Sequence, residues 1–571
     1  MKPRFAVLTA LLVVAGCHPP SGPGVRGPAP ADAPRVLMTI VVDQLPAWLA
    51  EDRWPAFPAD GGFARLRREG LTVTDMRYAH ANTETAPGHA ALYTGTPPRD
   101  SGIVQNDVPG PDGKPRSILI DEATRLVDVG AGEATRPGSS LARLRTETLA
   151  DALVAVRPGA PVYSFSLKDR GALFGGGRRP TAVLWLDVAG DAFATSTAFP
   201  APPEWAVPLA DRAALAALKK EGWTLIDADR AWVEAHATTP DAQEGEGDLG
   251  GMGRALPHAP PALSTKALRA TPLGDRALFA LAGAALKEIA ARPKGAMPPP
   301  PALLALSLSS HDYVSHVFGP DSWEAWAAEL ELDRRLAALF AEADRAVGTD
   351  GWAVMLTSDH GGSALPEVAG EKKGPECAGP PDKWERPCGG RRRILPAAIA
   401  PTLNTGLAKA LGGGPWVAAV SDPFVYLAPH GHALVGEHRR RVLVAAQRAL
   451  APLGIADVID VKATNGRCAS DDSRTSVVCR SIDPTSDADL YLVVAPGAFF
   501  DPDLVPGTGT NHGSPYLYDR AVPLIVRAPG RVKAGTVRAG PTSFASFTRT
   551  AAALLGVRPP SGLEGGDDLA R

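Results

Sequence analysis

Four long apolar runs, each ending on a polar residue capable of chemistry, constrain this chain more than any other feature. RVLMTIVVDQ (35–44) is continuous and rich in β-branched residues, like a strand buried on both faces, and it stops at Asp43. ALLALSLSSHDYVSH (302–316) leads to Asp312 and His316, GWAVMLTSDHGG (351–362) to Asp359 and His360, and APVYSFSLKDRGA (160–172) to Lys168 and Arg170. Helical patterns lie between them, GDRALFALAGAALKEIAA (274–291) and DSWEAWAAELELDRRLAALFAEADRAV (321–347) among them. This alternation predicts an α/β fold with a mostly parallel sheet flanked by helices. In such folds, sites gather at the carboxyl ends of the strands, where all of these polar residues stand.

The run is interrupted. Residues 35–366 read as the first part of a core, 367–490 as an inserted cap or subdomain, and 491–571 as completion of the core. The insert has its own strand–helix–strand set, PFVYLAP, EHRRRVLVAAQRALAPL and ADVIDV. DLYLVVAPG and VPLIVRAPG then read as strands returning to the main sheet. Residues 236–265 are rich in Gly, Pro and acids and read as a surface loop.

A net charge of −3 offers no basic surface for nucleic acid. The start reads as an export signal: basic MKPR, the short apolar run FAVLTALLVVAG, then Cys17. The run is too short to span a bilayer, and no later stretch is apolar enough to do so. VAGC resembles a bacterial lipobox, which would put a lipid on Cys17; a plain signal peptide cut nearby is the alternative. Residues 18–34 would then be a Pro/Gly tether. These readings place the chain outside the cytoplasm of a Gram-negative bacterium, periplasmic or anchored in the outer membrane. In that setting Cys377 with Cys388, and Cys468 with Cys479, each pair 11 apart, suggest two small disulfide loops; a zinc knuckle is disfavoured because no CxxC is present.

DQ (43–44), HDYVSH (311–316), SDHGG (358–362) and GTNHGSPYLYDRAVPLIV (509–526) together supply three carboxylates, Asp43, Asp312 and Asp359, and three imidazoles, His316, His360 and His512, besides His311. This donor mix suits Zn²⁺ and would also accept Mn²⁺ or Co²⁺. Two ions could share it and clamp the attacking and leaving oxygens of an in-line displacement. NTETAPGHAALYTGTPPRDSGIVQND (82–107) adds a hydroxyl, Thr85, at the start of a short helix that tolerates Pro87 in its first turn and stops at Gly95. Gly88 would let the backbone approach a ligand, and the helix start would favour an alkoxide and a phosphate. A simple N-cap role is the bland alternative for Thr85.

These segments, taken in order (DQ, TAPGH, GIVQN, SLKDR, DYVSHVFGP, SDHG and GTNHGSPYLYDRAVPLI), resemble the alkaline phosphatase superfamily. Within it they look like the branch of zinc-dependent, phosphate-irrepressible bacterial phosphomonoesterases, related to nucleotide pyrophosphatase/phosphodiesterases. The resemblance covers most of residues 35–366 and 490–530. It implies an alkaline-phosphatase-like core and two Zn²⁺ per chain. One ion would be held by Asp312, His316 and His512, the other by Asp43, Asp359 and His360 with the Thr85 hydroxyl. Thr85 would attack phosphorus and carry a phosphothreonine intermediate. Asn106, Lys168 and Arg170 would hold the phosphoryl oxygens. His89 and His311 receive no role and read as packing or support.

Lys168 and Arg170 bear on the branch. A monoester dianion rewards two extra cations, and diesterases of the family lack the KDR element; a solvated charge cluster is its bland reading. The resemblance thus implies a phosphomonoesterase acting on small-molecule phosphate esters with broad leaving-group tolerance. No protein partner is expected, and membrane contact only through the N-terminal lipid. A phosphodiesterase or nucleotide pyrophosphatase is the alternative, since NTETAPGH is close to what that branch uses. A sulfatase is disfavoured by the absence of C/S-x-P-x-R around Thr85. A metal-binding lipoprotein without catalysis is a further alternative, although every expected position is filled.

Overall fold

The structure, a computed structural model, describes residues 33–110, 112–259, 261–293, 299–369, 392–502, 504–563 and 565–570. Cys17, Cys377 and Cys388, the signal segment and nearly all of the tether lie outside the described residues. Five strands form a parallel centre in the order Trp352–Thr357, Val36–Val42, Ala302–Leu308, Val162–Ser166, Ala182–Asp187. Both margins are antiparallel: Ala521–Arg527 and Leu71–Arg77 on one side, Ala192–Ser196, Ile120–Asp128 and Gly132–Ser139 on the other. The sheet is therefore mixed, with the expected parallel character mainly in its middle and again at one edge, where the short strands Thr536–Arg538 and Thr542–Ser543 pair parallel with Leu71–Arg77.

The strand sequences explain this placement. Val36, Met38, Ile40 and Val42 pack into one hydrophobic cluster and Leu37 and Val41 into the other, so both faces of the strand are buried. The helices Pro272–Ala291 and Trp323–Val347 cover the first face. Thr85–Thr94, Asp169–Gly176 and Ala545–Leu555 cover the second. Register then does the assembling. Val42 pairs with Leu308, Val41 with Thr357 and Ser307 with Ser166, so the four strands end flush and the residues that follow each one meet at a single edge.

Within the described residues the insert is a subdomain with its own four-stranded antiparallel sheet, ordered Val417–Ser421, Phe424–Leu427, Leu490–Val494, Ile455–Asp460. Pro396–Leu411 and Gly436–Leu450 pack on one face of it. Arg392–Ile394 and Ala498–Phe500 pair to form its stem. The segment DLYLVVAPG thus belongs to the insert, and the return to the main sheet is made by Ala521–Arg527. The physical reason is plain: Leu490, Leu492 and Val494 face the insert's helices while Tyr491 and Val493 face Ala81 and Val104 of the core, and a strand buried on both sides reads alike in either sheet. That second face clamps the insert onto the loop before Thr85. The Ser481 hydroxyl accepts from the backbone N–H groups of Ala81 (2.6 Å) and Asn82 (3.1 Å). Cys468 and Cys479 are joined by a disulfide in the same region, as expected. Among the described residues no helix is long and apolar enough to cross a membrane.

Gly88 has a different purpose from the one its sequence context suggests. A Cβ there would run into the carbonyl oxygen of Asp359, so the glycine permits close packing of helix Thr85–Thr94 on the end of strand Trp352–Thr357, not the approach of a ligand. Gly88→Ala is expected to destabilise the protein by about 2 kcal/mol or more through overpacking. Denaturant unfolding checks this; a change below about 0.5 kcal/mol would mean the helix can shift freely on the strand end.

Candidate active site

Asp43 directly follows strand Val36–Val42, and Asp359 and His360 come two and three residues after Trp352–Thr357. Asp312 and His316 sit one turn apart on helix Ser310–Phe318, which starts just after Ala302–Leu308, so both project from one face. His512 lies in the loop before the short helix Leu517–Arg520, which leads into Ala521–Arg527. The donor atoms converge as two overlapping groups: Asp312, His316 and His512, and Asp43, Asp312 and His360. Asp312 belongs to both. Asp359 stands beside the second group, its Oδ2 3.5 Å from His360 Nε2.

Each of the three histidines is held in one tautomer by a backbone carbonyl. Nδ1–H donates to Thr510 O from His316 (2.8 Å), to Thr83 O from His512 (2.7 Å) and to Gly361 O from His360 (3.0 Å). This leaves every Nε2 with its lone pair directed at the carboxylates: 3.1 Å from Asp312 Oδ1 for His316, 3.7 Å from the same oxygen for His512, and 3.4 Å from Asp43 Oδ1 for His360. Orientation of the ligand ring through its other nitrogen is a recurrent feature of metal sites. Burial holds His360 below its ordinary pKa, and burial with the neighbouring His360 and His316 rings holds His512 well below it, so these imidazoles are neutral donors. Burial, joined by Asp312 and Asp359, pushes the Asp43 carboxyl well above the usual carboxylate range. Asp43 Oδ1 and His360 Nε2 are both buried without a hydrogen-bond partner. Crowded carboxylates and unsatisfied neutral imidazoles of this kind fit divalent cations.

Supporting residues sit one layer out. His89 Nδ1 lies 3.0 Å from Asp359 Oδ2 and 3.0 Å from Thr85 O, and its Nε2 lies 2.9 Å from the Ser307 hydroxyl. His311 Nδ1–H donates to Asp43 O (3.0 Å). With its amide nitrogen turned toward Asp312, Gln44 donates to Asp312 O (3.0 Å) and Oδ1 (3.1 Å).

Thr85 occupies the first turn of its helix, with Glu84 in the capping position, and is buried at the edge of the donor groups. Lys168 Nζ donates to Thr85 Oγ (3.1 Å) and lies 2.6 Å from Asp312 Oδ2 and 2.7 Å from Asp43 Oδ2. Burial works against its charge, but the Asp312 and Asp43 carboxylates overcome it and hold the ammonium above its ordinary pKa. Asn106 is fixed at two points: its side-chain Oδ1 accepts from Ala86 N–H (2.8 Å), and its backbone N–H donates to Glu84 Oε2 (2.6 Å). This orientation leaves the Asn106 Nδ2–H₂ as a donor to the cavity. It also consumes amides the sequence had offered to a bound anion. Ala86 N–H is taken by Asn106, Gly88 N–H by Glu84 O, and Pro87 has none. The cations, more than the helix start, therefore face an anion here.

Lys168 and Arg170 do not share a side through strand alternation. The strand stops at Ser166, Lys168 is the extended residue before helix Asp169–Gly176, and Arg170 is in its first turn. Both nonetheless line the same cavity of about 440 Å³ as Thr85, Asn106, His316 and His512. The insert closes that cavity with the turn Ser421–Pro423, whose Ser421 hydroxyl donates to Asp107 O (2.8 Å). Glu84, which stands in NTETAPGH, and Tyr313, which stands in HDYVSH, also line it without a role assigned from the sequence, as does Arg269, which stands in no motif.

A buried hydroxyl thus stands beside two overlapping carboxylate–imidazole groups at the carboxyl edge of the sheet, in a chain that its family model and relatives place in the alkaline phosphatase superfamily. Within it, the chain belongs to the family described as Type I phosphodiesterase / nucleotide pyrophosphatase, whose sequence model matches residues 37–374. It is 30% identical over 362 residues to alkaline phosphatase PafA of Elizabethkingia meningoseptica, covering 62% of this chain and 64% of PafA. It is 28% identical over 339 residues to alkaline phosphatase PhoV of Synechococcus elongatus, covering 58% of this chain and 60% of PhoV. Both alignments span less than two thirds of the relative's own length. The crystal structure of wild-type PafA has the same fold, with a TM-score of 0.78 at 22% identity over 94% of this chain and 99% of that one.

Proposed function

We propose that this protein hydrolyses phosphate monoesters through a phosphothreonine intermediate on Thr85, with two Zn²⁺ held by Asp312, His316 and His512 and by Asp43, Asp359 and His360, the Asp312 carboxylate lying within reach of the second set as well. The observation that carries the reading is the contact of Lys168 Nζ with Thr85 Oγ (3.1 Å) at the edge of both donor groups, in a cavity that also holds Asn106 and Arg170. The names of PafA and PhoV support a phosphatase. So does a second PafA structure, TM-score 0.73 at 22% identity, in which a Thr, an Asn, a Lys and an Arg are replaced together; they follow one another at intervals of 21, 62 and 2 residues, as Thr85, Asn106, Lys168 and Arg170 do here.

Divalent cations bound there supply Lewis acidity, lowering the pKa of an adjacent hydroxyl and neutralising charge on the leaving oxygen. The Thr85 oxygen attacks phosphorus in line, the bond to the ester oxygen breaks, and water later releases phosphate from Thr85. Asn106 Nδ2 donates to one non-bridging oxygen, and Lys168 and Arg170 pair with the others, since a phosphoryl transition state carries its charge on those oxygens. Broad leaving-group tolerance is part of the proposal, supported by a cavity of about 440 Å³, far larger than a phosphoryl group needs. The family's description favours diesters as a second reading. Lys168→Ala separates the two: turnover of an aryl phosphate is expected to fall about a hundredfold or more, and that of the corresponding diester by much less. Faster turnover of the diester by the wild-type protein, or equal losses, would favour the second reading.

We also propose export and an N-terminal lipid on Cys17, on the strength of VAGC and the apolar run before it. The Cys468–Cys479 disulfide is in keeping with an oxidising compartment.

A further inference from the structure

Arg269 faces the cavity that holds Thr85. It follows the short helix Thr265–Leu268, whose start is capped by the Ser264 hydroxyl accepting from Ala267 N–H (3.0 Å). Its guanidinium lies over the Tyr313 ring, 4.3 Å from the centroid, and Nη1–H donates to Tyr313 Oη (2.7 Å). Tyr313 stands on helix Ser310–Phe318 between Asp312 and His316, and Lys168 Nζ lies 5.0 Å from the centroid of the same ring. Tyr313 therefore ties Arg269 to the element that carries the candidate metal ligands. Among the described residues no carboxylate lies within ion-pair distance of Arg269. Arg170, by contrast, has Asp169 at 3.8 Å. A second cavity of about 390 Å³ shares Lys168, Arg170, Arg269 and Tyr313 with the first, so Arg269 borders both.

An arginine pre-oriented by an aromatic ring, half-buried and without a carboxylate partner among the described residues, is suited to a planar or tetrahedral anion. Lys168, Arg170 and Asn106 already suffice for the oxygens of one phosphoryl group. We propose that Arg269 anchors a second anionic group, a carboxylate or a phosphate, borne by the leaving portion of the ester, so that phosphate monoesters carrying such a group in addition to the reacting phosphoryl are the preferred substrate class. This rests on the reading of Thr85 as the phosphoryl acceptor.

The test uses binding, so that it does not depend on turnover. Benzylphosphonate and its 3- and 4-carboxy derivatives are titrated calorimetrically into the full-length, zinc-loaded protein. A carboxy derivative is expected to bind about tenfold or more tighter than the parent. In Arg269→Gln that ratio is expected to fall to about one, and in Arg269→Lys, which keeps the charge but not the fork, to an intermediate value. No preference in the wild-type protein, no binding of any of the three, or a preference undiminished in Arg269→Gln overturns the proposal. Turnover of phenyl phosphate is measured on the same sample. Hydrolysis without the carboxylate preference removes this inference alone, and the preference without hydrolysis removes the proposed reaction instead.

Discussion

Thr85→Ala is expected to lower kcat for an aryl phosphate by about ten-thousand-fold, because the substitution deletes the only atom proposed to bond to phosphorus. The change is small in every other respect. Thr85 is buried, its side chain is short, and the helix it begins is capped by Gly95 and packed through Ala86, Ala90, Ala91 and Leu92. Loss of fold is therefore not expected, and a melting temperature within a few degrees of wild type establishes this on the same sample. Some residual hydrolysis is expected, because Lys168, Arg170, Asn106 and the metal ligands still bind and polarise the ester for direct attack by water. A loss smaller than about tenfold would remove Thr85 from the chemistry.

Asp312→Asn carries the second large effect. Asp312 is common to both donor groups, with Oδ1 near His316 and His512 and Oδ2 near Lys168. Replacing it is expected to lower zinc from about two ions per chain to less than one, and turnover by about a thousandfold or more. His512→Ala touches one group alone, and is expected to remove about one ion while the other remains. Metal analysis by mass spectrometry together with turnover distinguishes the two variants. Dialysis against a chelator should abolish activity in the wild type, and added Zn²⁺ should restore it. Two ions per chain retained in Asp312→Asn would show that the groups do not overlap through this carboxylate.

The sequence carried the placement of the site because flush parallel strands leave a clear trace: an apolar run buried on both faces, then an abrupt polar residue, as at Val42–Asp43 and Thr357–Asp359. The helix spacing of Asp312 and His316 was legible for a similarly local reason. Contacts decided by side-chain direction across distant elements were not. That Asp312 is shared by two groups, that His89 supports Asp359 and that Asn106 accepts from Ala86 each depend on rotamers set by tertiary packing. The strand Leu490–Val494 was assigned to the wrong sheet because burial on both faces looks the same whichever sheet supplies the neighbours. In sequence Gly88 looks like room for a ligand, whereas the backbone of Asp359 occupies that space. Arg269 had no signal at all: it is a lone arginine after a single helical turn, and only the ring of Tyr313 turns it toward the cavity.

Passage of the phosphoryl group through Thr85 is tested most directly by rapid acid quenching during turnover of an aryl phosphate, followed by peptide mass spectrometry. A peptide spanning Thr85 that carries one phosphoryl group is expected during turnover, and none from Thr85→Ala. Continued hydrolysis with that peptide unmodified at every quench time, or phosphate found on another residue, would contradict it.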